Sequence, residues 1–217
     1  MATRKKPAPD SPGRKSAYVA RNRVALLRST QRVLAEVGPD SSIDHFAEAA
    51  EIAVSTIYKH FENKEALIAA AFIEAFRDWE IWADQFMHEI EDPLEELVLP
   101  MRLFLRLKKT HPLYAAMVAR NMADAPRLFP GTEDGLVEHV GELMKAKILT
   151  IENPAIRIRS ISSCLLAALG EQLLNPASKE SDADITIEVI LGILGLTPAK
   201  AKKLAFGPLP KLEVATN

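Results

Sequence analysis

Apolar positions along this chain recur at three- and four-residue intervals, and nowhere is the alternation of a half-buried strand sustained. Leu27, Thr30, Leu34 and Val37 mark one face of a predicted helix from about 16 to 37. Gly38 can take the left-handed cap and Pro39 cannot continue the helix. Ser42 has the chemistry of an N-cap for a short second helix, about 43–50. The triplet "EIA" (51–53) reads as a tight turn into a third helix, about 54–60. Further helices are predicted at about 64–90, 93–110, 112–123, 133–149, 154–174 and 184–194. A last short one has Pro198 at its first position. The expected fold class is all-α: a three-helix N-terminal unit, then a larger C-terminal helical remainder.

Residues 43–61, "IDHFAEAAEIAVSTIYKHF", carry the candidate chemistry. Two short helices joined by a three-residue turn form a helix-turn-helix only if they cross closely. Ala47 supplies the small residue, and Phe46, Ala50, Ile52, Ile57 and Phe61 supply inward-facing apolar groups. The other face of the third helix shows Val54, Ser55, Tyr58 and Lys59 with no carboxylate, although acids outnumber bases in the chain by 29 to 27. A helix that enters a major groove needs such a face, able to donate to base edges and phosphates without repelling them.

Charge distribution strengthens that reading. Residues 1–23 hold seven basic residues against Asp10, a net +6, and the remainder holds 20 basic and 28 acidic residues, a net −8. A basic arm on an acidic body attracts a polyanion at one end. Four helix-breaking residues, Pro7, Pro9, Pro12 and Gly13, mark 1–15 as a disordered basic arm. The expected domains are therefore 1–15, a helix-turn-helix unit 16–63, and the helical remainder 64–217. The single cysteine, Cys164, excludes an internal disulfide and a multi-cysteine zinc site. Neither His45 nor His60 has a partner at ligand spacing, so no metal is expected. Without a run of about 18 apolar residues, or a secretory apolar segment behind the basic N-terminus, no membrane partner is expected and the expected location is cytoplasmic.

The run "TIYKHFENKEAL" sharpens the picture. A Tyr-x-x-Phe ending followed by a Lys-Glu-Ala-Leu helix start resembles the DNA-binding domain of the tetracycline-repressor (TetR) family, and the resemblance covers about residues 21–70. It implies a ligand-responsive transcriptional regulator, a repressor by default. Such a protein binds a pseudo-palindromic double-stranded DNA operator as a homodimer and is released by a small molecule. The resemblance implies phosphate contacts for Tyr58 and Lys64, with Val54, Ser55, Thr56, Lys59 and His60 in the groove region. Ser42 would cap its helix and touch phosphate, and Arg14 and Lys15 would add contacts from the arm. Three positions depart from the family pattern. Glu51 stands at the turn glycine, Ala53 at the serine that opens the recognition helix, and the loop "GPDSSID" is one residue short, with Pro39 where an aromatic often sits.

In the remainder, Trp79, Trp82, Phe86, Phe104, Tyr114, Met117 and Met122, with Phe129, are candidates to line a mostly apolar effector cavity. Asn121, His88 and Arg120 are candidate polar contacts. The eighth and ninth helices are apolar on more than one side, which predicts a two-fold four-helix interface. Ile158, Ile161, Leu165, Leu169, Ile190 and Ile193 are its expected members. No Gly-rich phosphate loop, nucleophile elbow or metal motif is present, so no enzyme activity and no cofactor are expected. The rival readings are a helical adaptor and a small helical enzyme. Both leave the acid-free face of the third helix without a purpose.

Overall fold

The computed structural model describes the backbone of residues 12–121 and 134–215 and the side chains from Asn22 onward. Helices and their connections account for all the described residues, without a strand. In chain order they are α1 (Pro12–Glu36), α2 (Ile43–Ala49), α3 (Val54–Ile57), α4 (Lys64–Asp84), α5 (Pro93–Phe104), α6 (Leu107–Thr110), α7 (Pro112–Arg120), α8 (Asp134–Lys145), α9 (Pro154–Leu174), α10 (Glu180–Ile193) and α11 (Pro198–Ala205).

Local chemistry sets most of the boundaries. Gly38 ends the first turn with φ 102°, and the Ser42 side chain accepts from His45 N–H at 3.3 Å to start α2. The carboxamide oxygen of Asn63 caps α4 by accepting from Ala66 N–H at 2.8 Å, and Asp92 caps α5 through Leu94 N–H at 2.8 Å. Pro154 and Pro198 open their helices where a missing N–H costs nothing.

Several boundaries differ from the sequence expectation. The first helix already runs at Pro12, inside the segment expected to be a loose arm, because proline is tolerated in a first turn. The remainder of that arm, 1–11, lies outside the described residues. The fourth helix stops at Asp84, where three-residue turns through Phe86 and Met87 replace the α-ladder. The fifth breaks at Leu105–Arg106, and the sixth ends at Arg120. The tenth element begins at Glu180 rather than near 184, since the Asp182 carboxylate accepts from Lys179 N–H at 2.8 Å.

Two arginines, Arg102 and Arg106, stand on either side of the break after α5. Arg106 donates to Asp184 at 2.7 Å and to the carbonyl of Arg102 at 3.0 Å. Arg102 reaches the same carboxylate at 3.4 Å and donates to the carbonyl of Gly207 at 2.8 Å. Both guanidiniums are buried, and burial pulls the Arg102 pKa down against the attraction of Asp184. Asp184 thus ties α10 to α5, and Arg102 ties α5 to the segment after α11, in a desolvated network that loses its balance if a partner is removed.

The core is continuous. Leu26, Leu27 and Leu34 of α1 meet Phe46, Ile57, Leu67 and Phe72, while Val37, expected on the same face, is exposed. α1 lies along α2, α4 and α7. Gln31 ties α1 to α4 by donating to the carbonyl of Ala71 at 3.1 Å. α9 packs on α7 and α10, and α5 sits among α8, α10 and α11.

Candidate nucleic-acid interface and buried polar cluster

The predicted helix-turn-helix forms. Phe46, Ala47, Ile57 and Phe61 are buried, and Ala50 and Ile52 are half-buried beside them. The turn is closed by Ile52 N–H donating to the carbonyl of Ala47 at 3.0 Å. Glu51 adopts φ 55°, the left-handed conformation that the missing glycine would have taken freely. Ala53 precedes α3 in extended backbone with no side-chain cap. The α-helical part of the third element is short, Val54–Ile57, and residues 58–60 continue it as turns. Tyr58 N–H still donates to Val54 and Phe61 N–H to Ile57, so the predicted faces are kept.

Ser42, Ser55, Tyr58 and Lys59 are exposed on this unit, and Val54, Thr56, His60 and Lys64 are half-exposed. Lys64 is more constrained than a free phosphate-binding lysine. Its Nζ donates to the carbonyls of Pro39 at 3.2 Å and Ser41 at 3.3 Å, which ties the start of α4 to the loop between α1 and α2. Arg23, missed as an individual site residue by the sequence reading, stacks its guanidinium 5.5 Å above the ring of Phe61. It brings a second cation to the end of the recognition segment. The backbone of Arg14 and Lys15 belongs to α1, and their side chains lie outside the described residues.

The interior candidates divide. Trp79, Tyr114, Met117 and Asn121 are buried, and Trp82, Phe86 and Phe104 are half-buried. They form a linked aromatic wall: Trp79 stands edge-on to Phe104 at 5.8 Å, and Trp82 contacts Phe86 at 5.0 Å and His111 at 4.9 Å. Met122 and Phe129 lie outside the described residues. His88 and Arg120 are exposed and turn away from the interior. Three buried polar atoms in this region have no partner: Trp79 Nε1, the Tyr114 hydroxyl and Asn121 Oδ1. The Asn121 amide nitrogen is already committed to the carbonyl of Met117. Burial, with a smaller push from Glu80, drives the Tyr114 pKa far up and keeps the phenol neutral.

The expected dimer residues divide by burial. Ile158, Ile161, Leu169 and Ile190 are buried within the single chain, and Leu165 and Ile193 are half-buried. The four buried residues serve the chain's own core and are unavailable to a partner. The stripe that α9 and α10 leave open is rotated from them. It runs through Ile156, Ser163, Ala167 and Leu174 on α9 and Ile185, Val189 and Gly192 on α10. Ile156, Leu174, Ile185 and Val189 are 51–74% exposed, too apolar for a surface that meets only water.

Residues 26–71 match the profile described as bacterial regulatory proteins, tetR family. Over that stretch the chain is similar to the tetR family's N-terminal domain. The fold of the whole chain agrees. RolR in complex with resorcinol superposes with a TM-score of 0.72 at 23% identity, covering 91% of this chain and 100% of that one. A tetR-family transcription regulator from Shewanella sp. PV-4 gives 0.64 at 14% identity, over 79% and 96% of the two chains. FadR of Bacillus subtilis, in complex with stearoyl-CoA, gives 0.60 at 16% identity over 86% and 99%. At these identities the likeness shows the fold alone. No match to a protein of curated function was found. Among the described residues there is no group of side chains able to hold a metal ion, and no helix is long and apolar enough to cross a membrane.

Proposed function

We propose that this protein is a ligand-responsive transcriptional regulator. It binds a pseudo-palindromic operator as a homodimer and is released by a small, mostly apolar molecule. The observation that carries the reading is the exposed, acid-free face of α3 and its following turn, set in a tetR-family helix-turn-helix. Ser55, Lys59 and Val54 are the base-edge candidates, with Thr56 and His60 beside them, and Tyr58, Ser42 and Lys64 hold the phosphates. Lys64 has two of its three ammonium protons on backbone carbonyls, so one remains for a phosphate.

The homodimer forms through the open α9–α10 stripe, which pairs with its own copy about a two-fold axis. The effector half occupies the aromatic region between α4 and α7. That fold houses resorcinol in RolR and stearoyl-CoA in FadR of Bacillus subtilis, and the buried orphan atoms of this chain support the same use. α7 lies directly on α1, so an occupant that shifts α7 shifts the DNA-binding unit without an intermediary.

The test is selection of DNA from a random pool by the full chain, followed by anisotropy titration of the selected sequence across salt concentrations. The reading requires a sequence-specific complex with a steep salt dependence. Binding that is indifferent to sequence, or absent at low salt, sinks it.

A further inference from the structure

Trp79 Nε1, the Tyr114 hydroxyl and Asn121 Oδ1 come from residues at least 94% buried, and each lacks a hydrogen-bond partner. An orphan polar atom of this kind costs on the order of 1–3 kcal/mol, and an occupant that satisfied these three, carried by α4 and by α7 with its C-cap, would recover that cost. Tyr114 and Asn121 are seven residues apart, so they share one side of α7. α7 meets α4 where His111 packs on Trp82, and Trp79 lies one turn before Trp82 on α4.

Their chemistry is complementary to a definite ligand. The indole N–H only donates, so it needs an acceptor. Asn121 has committed its amide nitrogen to Met117 and presents only an acceptor, so it needs a donor. The phenol can serve either way. Hydroxyl groups, which both donate and accept, answer each of these demands. The flanking surface is aromatic, with Phe76, Trp79 and Phe104 linked ring to ring.

Charge narrows the choice further. The two buried arginines, Arg102 and Arg106, are both held by Asp184 and give an anion nothing to pair with. Glu80 sits close enough to Tyr114 to act on it electrostatically, which opposes an anionic guest. Glu80 is itself exposed, so it needs no cationic guest. A cation would also leave the indole N–H unanswered.

We infer that the effector is a small neutral aromatic carrying hydroxyl groups, held by hydrogen bonds to Trp79, Tyr114 and Asn121 between rings of α4 and α5. This deepens the regulator reading and rests on it for the consequence of binding, though not for binding itself.

The experiment uses the full chain and a panel of probes: resorcinol, 1,3-dimethoxybenzene, toluene, benzoate, hexanoate and benzylamine. Binding is read by tryptophan fluorescence and thermal shift, and release of the selected DNA by anisotropy. Resorcinol is expected to bind at least tenfold more tightly than its dimethyl ether, which has lost both donors. Tyr114→Phe and Asn121→Leu are each expected to weaken resorcinol by about tenfold, the effect of one hydrogen bond, while leaving toluene unchanged. Tighter binding of benzoate, hexanoate or benzylamine overturns the class, as does failure of the whole panel to bind. Resorcinol affinity that is untouched in both folded variants overturns the residue assignment. If resorcinol binds as expected but the chain recognises no DNA, the effector class survives and the regulator reading fails.

Discussion

Lys64 Nζ donates to the carbonyl of Pro39 at 3.2 Å, so the first residue of α4 holds the loop that precedes the helix-turn-helix. A second bond to Ser41 at 3.3 Å completes the tie. Lys64→Ala is expected to lower unfolding free energy by about 1 kcal/mol, the net loss of such bonds. It is also expected to reduce the salt slope of DNA binding by about one unit through the lost phosphate contact. Urea titration measures the first and anisotropy across salt the second. A lower stability with an unchanged slope would make Lys64 a structural tie alone.

Glu51 holds a left-handed backbone conformation that costs a residue with a Cβ about 1 kcal/mol. Glu51→Gly is expected to stabilise the chain by up to that amount, less the entropy that glycine adds to the unfolded state. Thermal unfolding reads the change. A destabilised variant would mean that the Glu51 side chain contributes more than the strain removes.

The reassigned interface makes a two-sided prediction. Val189→Asp and Ile185→Asp place charges on the open stripe and are expected to give folded monomers by sedimentation. Ile161→Asp and Ile190→Asp place charges in the chain's own core and are expected to unfold it or render it insoluble, with a loss on the order of several kcal/mol. Folded dimers of Val189→Asp and Ile185→Asp would move the interface elsewhere.

His111 is buried against Trp82, with Nδ1 3.0 Å from the Thr110 hydroxyl. Burial lowers its pKa below the ordinary 6.5, and Asp78 offsets part of that shift. The unfolded chain therefore takes up a proton that the folded ring resists. The stability contribution is whole above about pH 6.5 and is lost as pH falls toward the lower folded value. The thermal midpoint is expected to drop between pH 7 and 5, and to drop less in His111→Gln. Parallel profiles for the two proteins would show that other groups set the acid limb.

The helix-turn-helix was legible because short-range chemistry writes it: Gly38, Ser42, Ala47 and the Ile57/Phe61 pair each act within a few residues. The departure at Glu51 was legible through the family resemblance, which puts a glycine at that turn. The interface register was not. A stretch that is apolar almost all round, as 185–196 is, carries no mark of which side faces its own chain, and Ile190 and Val189 differ only in rotation. The Lys64 tie was equally hidden, since it spans 25 residues of chain and depends on the loop's path. The aromatic cluster could be named from composition. Which polar atoms are left unanswered within it, Trp79 Nε1 rather than His88, is a property of packing alone.

The contact of α1 with α7 gives the molecule a mechanical advantage. α1 has 25 residues and so behaves as a rigid rod about 38 Å long, at about 1.5 Å per residue. Its flank rests on the helix that carries Tyr114 and Met117. A rod pivoted near such a contact turns a tilt of about 5° into roughly 2–3 Å at its far end. Two copies tilted in opposite senses would change the separation of their recognition segments by about twice that, against a half-site spacing of about 34 Å fixed by the DNA turn. In the proposed dimer, an occupant that tilted α1 by that much would put the pair out of step with the groove without any other change of shape.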